Sequence, residues 1–223
     1  MSSPIIKLPQ VPNNLDPELR DYLLNINKIL IKKQNEEYGE NEKTITELKS
    51  DIEDLSTYIN DTICVWQIVD NHVTMPYTYA YTATRASAVE LACLTTSIIT
   101  KRDNTRISFD ALINGEIFHD SALILERVID GVATEIGSHS DPNVGVRYYG
   151  IIGPAYDVDY NSTMNQSKIQ YIDAPEVSSG TEITYKIKIY GSANTARINR
   201  TVGDGNITTR ERGTSNVRLQ EIK

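Results

Sequence analysis

Two short stretches of the sequence hold side chains that could do chemistry together. In the first, Ser138, His139 and Asp141 bring a hydroxyl, an imidazole and a carboxylate into one loop bounded by Gly137 and Pro142. A nucleophilic triad holds such groups in a fixed chain of hydrogen bonds, which near-adjacent loop positions rarely provide. We therefore favour a solvated turn, with a ligand-contacting loop as the intermediate interpretation.

The second stretch alternates carboxylates with tyrosines. Asp157 and Asp159 lie between Tyr156 and Tyr160. Two carboxylates about 5–10 Å apart can hydrolyse a glycosidic bond. Carboxylates two positions apart in a loop more often face water or bind a cation, so a glycan-degrading activity and a calcium or sodium ion stay as alternatives. We expect no enzyme.

Metal and cofactor chemistry have little support in the sequence. His72, His119 and His139 are scattered singly, and a zinc site needs converging nitrogen or sulfur ligands. Cys64 and Cys93 lie at no metal spacing, and we expect buried free thiols rather than a disulfide. No phosphate-binding glycine loop is present. We predict no catalytic residue, no metal and no cofactor.

Loops rich in tyrosine and polar residues are the better candidates for function. The chain has 13 Tyr against 2 Phe and 1 Trp, and tyrosine supplies rigid contact area with an apolar ring and a polar tip. The candidate ligand-contact residues are Ser138, His139, Asp141, Tyr148, Tyr149, Asp157, Asp159 and Tyr160.

A further polar segment lies near the C-terminus. Asp204-Gly205 predicts a turn between the last two strands. Arg210, Glu211 and Arg212 follow it, and we expect them to pair across chains or to face water.

Composition narrows the function classes. The chain has 223 residues and a formal net charge of −8, which argues against nucleic acid or an anionic membrane as a partner. No apolar run approaches the roughly 18 residues that span a bilayer. Prolines interrupt Met1–Pro12, so it lacks the apolar core of a signal peptide. We expect synthesis and folding in a cytoplasm.

A heptad stripe is the element that must position the part of the chain that follows it. Its apolar residues are spaced three, four, three, four, and they are Ile45, Leu48, Ile52, Leu55 and Ile59. A single helix of this length is marginal in water, so the stripe needs a partner. The partner is either the chain's own domain or, as we favour, an identical chain in a short coiled coil. Ile at position a and Leu at position d favour two strands.

Before this stripe, the sequence predicts an extended arm and a first helix. Prolines keep residues 1–14 extended. Asn14 or Asp16 can cap a helix whose first turn accepts Pro17. Its heptad phase does not match the later stripe, so there are either two helices with a break at Gly39 or one discontinuous coil.

After Asp61 the period of the apolar residues changes to two. We expect strands over Val89–Cys93 and over the stretch that contains Ile183, Tyr185, Ile187 and Ile189 as one face. Asn114-Gly115 and Asp130-Gly131 are both hairpin signals. About eight to ten short strands predict a mainly β fold, an antiparallel jelly-roll sandwich.

Several segments of this region resemble a known domain. FDALINGEI, ALILERVIDGVATEIG, YIDAP, TYKIKI, INRTV and ERGTSNVRLQEI, in that order, are similar to the jelly-roll head of small fibre, spike or knob proteins of marine tailed phages. The segment PQVPNNLDPELRDYL resembles the N-terminal sequence of phage tail-fibre-like proteins. The resemblance implies a jelly roll of the tumour necrosis factor-like kind, a homotrimer, and attachment to a virion through the N-terminus.

Residues and resemblance together predict three segments: a virion-anchoring arm at 1–14, a helical coiled-coil stalk at 15–62, and a jelly-roll head at 63–223. The predicted anchoring residues are Ile5, Ile6, Leu8, Val11, Leu15 and Leu19. The expected function is attachment of a virion to a host-surface glycan or protein by a homotrimer. The alternatives are a capsid or tail decoration protein that binds only other virion proteins, and a glycan-degrading tail enzyme.

Overall fold

A computed structural model gives the structure of the chain and describes residues 17–36, 48–55, 57, 65–138, 145, 147–155, 163–192, 194–208 and 210–223. The chain divides into two compact units, Met1–Thr62 and Ile63–Lys223, called here unit 1 and unit 2. The predicted arm at 1–14, together with Leu15, Ile45, Ile59 and Cys64, lies outside the described residues.

The described part of unit 1 is helical. Helix α1 spans Pro17–Glu36, with Pro17 in its first turn as predicted. Residues 48–55 are also helical, and they hold Leu48, Ile52 and Leu55 of the heptad stripe at half-buried positions. Tyr22 and Ile29 on α1 are 58% and 50% exposed. None of the unit 1 residues with a described burial is buried, so the described parts of its apolar stripes form no buried core.

Unit 2 is built from eleven described strands in two antiparallel sheets. The strands are β1 (Val65–Val73), β2 (Tyr77–Tyr81), β3 (Val89–Glu90), β4 (Thr96–Ile99), β5 (Arg106–Glu116), β6 (Ser121–Ile129), β7 (Val132–Ile136), β8 (Asn165–Asp173), β9 (Glu182–Gly191), β10 (Asn194–Ile198) and β11 (Ser215–Ile222). The first sheet has the order β1-β11-β5-β10-β2. Strand β8 also pairs with β5, largely over the same residues of β5 that pair with β11. The second sheet has the order β3-β9-β6-β7, and β4 also pairs with β9.

The chain crosses repeatedly between these sheets, which is the strand arrangement of a jelly roll. The mainly β antiparallel fold is therefore confirmed. Alternating residues of both sheets fill one core, as the period of two requires. On β9 the predicted face holds: Ile183, Tyr185, Ile187 and Ile189 are all fully buried.

One predicted hairpin forms and the other does not. Ile129 pairs with Val132 around Asp130 and Gly131, whose φ values of 50° and 78° match a type I′ turn. The Asn114-Gly115 prediction is wrong, because both residues lie inside β5. Gly115 is required there for a different reason: a β-carbon would collide with the carbonyl oxygen of Arg197 on β10.

The strand predicted at Val89–Cys93 is also shorter than expected. Only Val89–Glu90 pairs in the sheet, and Ala92–Leu94 form a 3-10 turn. The Asn71 side chain holds this turn by donating to the carbonyl oxygens of Cys93 and Thr95 at 3.0 and 3.1 Å. Cys93 is a free cysteine, as predicted, but it is half-buried where a buried thiol was expected. Its partial burial raises the pKa of the thiol.

A buried ion pair joins the two sheets. Asp173 at the end of β8 is 4% exposed. Its Oδ1 accepts a hydrogen bond from Arg127 Nη1 of β6 at 2.7 Å, and its Oδ2 accepts one from the Tyr185 hydroxyl of β9 at 2.8 Å. This carboxylate therefore connects the first sheet to two strands of the second.

A buried asparagine performs a similar role in the first sheet. Asn199, which follows β10, is 1% exposed and has a φ of 61°. Its Nδ2 donates to the carbonyl oxygens of Val73 and Met75 at 2.8 and 3.0 Å, and its Oδ1 accepts from Ser215 Oγ at 2.6 Å. The side chain thus ties the end of β1 to the start of β11.

The strand registers give unit 2 two distinct ends. Val65 at the start of β1 pairs with Ile222 near the C-terminus, and Ile222 pairs with Arg106. We call this the entry end, because the chain enters unit 2 there. The opposite end, called the far end, holds the connections β1–β2, β5–β6, β9–β10 and β10–β11.

Candidate ligand-binding surface at the far end

The structure describes three of the eight candidate ligand-contact residues. Ser138 follows β7 and is half-buried, and Tyr148 and Tyr149 lie in a short segment that packs on the second sheet. The other five, His139, Asp141, Asp157, Asp159 and Tyr160, lie outside the described residues.

Tyr149 is held in place by the hydroxyl of Tyr190, a residue near the end of β9. The backbone N–H of Tyr149 donates to this hydroxyl at 2.7 Å, and the hydroxyl donates to the carbonyl oxygen of Tyr149 at 2.7 Å. Two residues on, Ile151 N donates to the Leu123 carbonyl oxygen of β6 at 2.8 Å. The segment is therefore attached to the sheet by its backbone.

Arg85 completes the same assembly from the connection between β2 and β3. Its Nη1 donates to the carbonyl oxygen of Tyr149 and to the Tyr190 hydroxyl, the latter at 3.0 Å. Its Nη2 pairs with the Glu135 carboxylate of β7. The guanidinium carbon lies 3.8 Å from the centroid of the Tyr149 ring, a cation–π contact.

These contacts make a preorganised aromatic surface of Tyr148, Tyr149 and Tyr190, called here the tyrosine surface. The Tyr148 ring meets the Tyr190 ring edge-on at 5.6 Å and is 37% exposed. Beneath it, Ala122, Ile124 and Tyr190 form a small apolar cluster with Ala88 on the outer side of the second sheet. An exposed ring on a fixed support can contact a partner with little loss of conformational entropy.

The registers place this surface at the far end. Tyr190 pairs with Ala122, and the next pair, Gly191 and Ser121, ends the ladder between β9 and β6. The tyrosine surface therefore lies at the end of unit 2 opposite to the entry of the chain.

The polar segment between β10 and β11 is also at the far end. Glu211 and Arg212 are exposed, which agrees with the expectation that they face water, and Arg212 also pairs with Asp204 of the same chain. The residues around Asp204-Gly205 do form a bend between the last two strands, as predicted.

Sequence reasoning identified Tyr148 and Tyr149 but missed Arg85, Tyr190 and Glu135. The one available signal was the alternation on β9. If Ile183 to Ile189 face the core at every second position, then Lys186, Lys188 and Tyr190 must face outward. The sequence contains no comparable signal for Arg85.

Within the described ranges, no group of three or more His, Cys, Asp or Glu side chains is placed to hold a metal ion. The helices of that part of the chain include none that is long and apolar enough to cross a membrane.

Comparisons with known proteins give matches among solved structures alone. No family model matches the chain, and no curated protein matches it. Among solved structures, VP2 of infectious bursal disease virus in a subviral particle aligns with a TM-score of 0.34 and 13% identity, covering 70% of this chain and 37% of that one. The T13 particle of that virus gives a TM-score of 0.35 and 13% identity, covering 70% and 35%. The aligned parts span about a third of those chains, and similarity at this level establishes neither a shared family nor a shared function.

The role of Tyr190 in holding the surface can be tested directly. We expect Tyr190→Phe to speed amide hydrogen exchange at Tyr149 about tenfold or more, because its N–H loses the hydroxyl acceptor. The measurement is hydrogen exchange by NMR on the full chain. Tyr148→Phe is the matched control, since no hydrogen bond is described for its hydroxyl. Equal exchange at Tyr149 in both variants would contradict this assignment.

Proposed function

We propose that this chain is a virion structural protein, a short homotrimeric fibre anchored by its N-terminal segment. In this proposal the jelly roll is displayed for attachment to a glycan or protein on a host surface. The protein acts by binding and not by catalysis, and it requires no cofactor. It is made in the host cytoplasm and functions in the virion.

The observation that carries the proposal is the two-ended layout of unit 2. The chain enters at one end, and the preorganised tyrosine surface lies at the other. A domain that must be tethered on one side and must contact a partner on the other needs this layout. The sequence resemblance to phage fibre heads supports the viral setting and the number three.

The helices of unit 1 support the oligomeric part of the proposal. Leu48, Ile52 and Leu55 are half-buried, and α1 also has half-buried and exposed apolar residues. A heptad stripe whose described residues are only half-buried is stabilised when identical chains contribute further apolar side chains. Three copies then turn weak single contacts into strong overall binding, by about 10²–10⁴.

The assembly is tested by measuring the mass of the full chain in solution by light scattering. We expect three times 25.0 kDa. Ile52→Asn should make the mass fall on dilution, because a polar group replaces an apolar contact in the stripe. Ser50→Asn, an exposed position on the same helix, should leave the mass unchanged. A wild-type mass of 25.0 kDa at micromolar concentration would overturn the trimer.

Attachment is tested on particles that carry the chain. Particles in which Ile63–Lys223 are deleted should assemble normally and fail to adsorb to host cells. If the particles lose integrity instead, the chain decorates and stabilises the virion, and the attachment proposal is wrong.

A further inference from the structure

Arginines gather in the connection between β10 and β11, at the far end of unit 2. Arg200 and Arg212 face each other in an isolated antiparallel bridge. Asp204 lies in the bend between them. Arg200 Nη1 pairs with Asp204 Oδ2 at 3.0 Å, and Arg212 Nη2 pairs with Asp204 Oδ1. One carboxylate therefore serves two guanidinium groups.

Arg200 is fixed by its own loop. Besides Asp204, its Nε and Nη2 donate to the carbonyl oxygens of Thr201 and Val202 at 3.2 and 3.3 Å. Its side chain is 22% exposed, and that of Asp204 is 26% exposed. Arg200 and Asp204 are therefore held in place as a pair, and Arg200 contributes a fixed positive charge beside Arg212.

Arg212 differs from Arg200 in both exposure and contacts. Its side chain is 52% exposed, and its described contact is made by Nη2 alone. A guanidinium has five N–H donors in a planar fork, which matches two oxygens of a carboxylate or a sulfate. Arg212 is therefore held by Asp204 on one side and has donors available to an anion on the other.

The surroundings add positive charge. Arg210 lies across Gly203, where a β-carbon would be 2.5 Å from the Arg210 guanidinium carbon. Arg197 on β10 is a further neighbour: burial and then the charge of Arg200 lower its pKa, against opposing effects of Glu116 and Tyr81. Four arginines thus occupy one region of a chain whose net charge is −8.

We propose that Arg212, positioned by Asp204 and assisted by the charge of Arg200, binds an anionic group of an acidic glycan, either a uronate carboxylate or a sulfate ester. This inference rests on the proposed attachment function and names the class of ligand. Three carboxylates, Asp204, Glu211 and Glu116, oppose the four arginines of this region. The negative oxygens of the ligand would take up the remaining donors of Arg212 and balance the remaining positive charge.

The tyrosine surface and Arg212 lie at the same end of unit 2. Tyr148 offers an apolar face with a polar tip, and Arg212 offers a charged fork. A polysaccharide presents both apolar ring faces and, in the acidic kind, regularly spaced anions. An acidic glycan therefore suits the chemistry of both groups.

The test is isothermal titration calorimetry of the full chain with three hexasaccharides, one sulfated, one built from uronic acid and one neutral, together with inorganic sulfate. We expect at least one acidic hexasaccharide to bind at least tenfold more tightly than either the neutral one or inorganic sulfate. Arg212→Gln should weaken that binding about tenfold, and Arg212→Lys should recover part of it, because lysine keeps the charge but loses the fork.

Arg218→Gln is the matched control. Arg218 is an exposed arginine on β11 and pairs with Asp70 at 2.7 Å. Among the described ion pairs Asp70 has one arginine partner, whereas Asp204 has two. Its loss removes the same charge, and we expect less than a twofold change in affinity. Equal losses in the two variants, equal binding of the neutral hexasaccharide, or equal binding of inorganic sulfate would each overturn the inference. If particles carrying Arg212→Gln adsorb normally, attachment stands and the acidic-glycan inference fails.

Discussion

Replacing Asp173 by alanine is expected to lower the free energy of unfolding by about 3–5 kcal/mol. This is the usual cost of removing one partner of a buried ion pair, since the other charge stays buried without compensation. Here the Arg127 side chain is only 18% exposed, so water cannot fully replace the lost carboxylate.

The Tyr185 hydroxyl contributes to the same loss. Tyr185 is fully buried, and burial, followed by the negative charge of Asp173, raises the pKa of its phenol far above the usual value. The phenol therefore stays neutral and needs an acceptor for its proton. Asp173→Ala removes that acceptor, and an unsatisfied buried donor costs about 1–3 kcal/mol.

The measurement is urea unfolding of the full chain at neutral pH. Tyr185→Phe should cost less than Asp173→Ala, because the pair between Asp173 and Arg127 remains. Asp110→Ala is the matched control, since Asp110 lies on the outward face of β5 and both of its partners, Lys168 at 3.6 Å and Gln170 at 2.7 Å, are exposed. It should change stability by about 0.5 kcal/mol or less. A loss below about 1 kcal/mol for Asp173→Ala would show that the ion pair does not stabilise the sandwich.

The second large effect is expected at Asn199. Asn199→Ala should cost about 3 kcal/mol or more, because it removes three side-chain hydrogen bonds and leaves the Ser215 hydroxyl with only the Asn114 carbonyl oxygen, at 3.4 Å, as an acceptor. Alanine must also adopt the left-handed conformation that the φ of 61° requires, which asparagine tolerates better.

Asn199→Gly separates these two causes. Glycine adopts a positive φ without strain but makes none of the side-chain bonds. We expect it to be less destabilising than alanine by about 1 kcal/mol. Thermal unfolding of both variants gives the comparison. If glycine restores wild-type stability, the hydrogen bonds of Asn199 contribute nothing, and our account of this residue is wrong.

The sequence predicts much of the sandwich because side-chain direction alternates strictly along a strand. The β9 face and the Asp130-Gly131 turn both follow from local patterns. The Asn114-Gly115 prediction fails because a glycine has two uses that look the same in a sequence. It can allow a positive φ in a turn, or it can allow another strand to approach closely, as Arg197 does at Gly115.

The candidate site was only partly predictable, because its contacts join distant positions in the chain. Arg85 and Tyr149 are 64 residues apart, and Tyr149 and Tyr190 are 41 apart. No local spacing encodes such pairs. The charges of Asp204 and Arg212 were visible in the sequence, but their pairing depends on the bend that brings Arg212 back beside Arg200.

The pairing of β1 with β11 has a mechanical consequence. In the proposed attachment function, a particle would pull on unit 2 through the chain that precedes Val65, while a bound host surface would hold the far end. The force would then act along β1, whose pairing with β11 extends from Val65 to Val73. Hydrogen bonds between antiparallel strands are perpendicular to the strands, so this direction loads them together in shear instead of opening them one after another. The same ladder that completes the first sheet would therefore let the head bear tension while it remains folded.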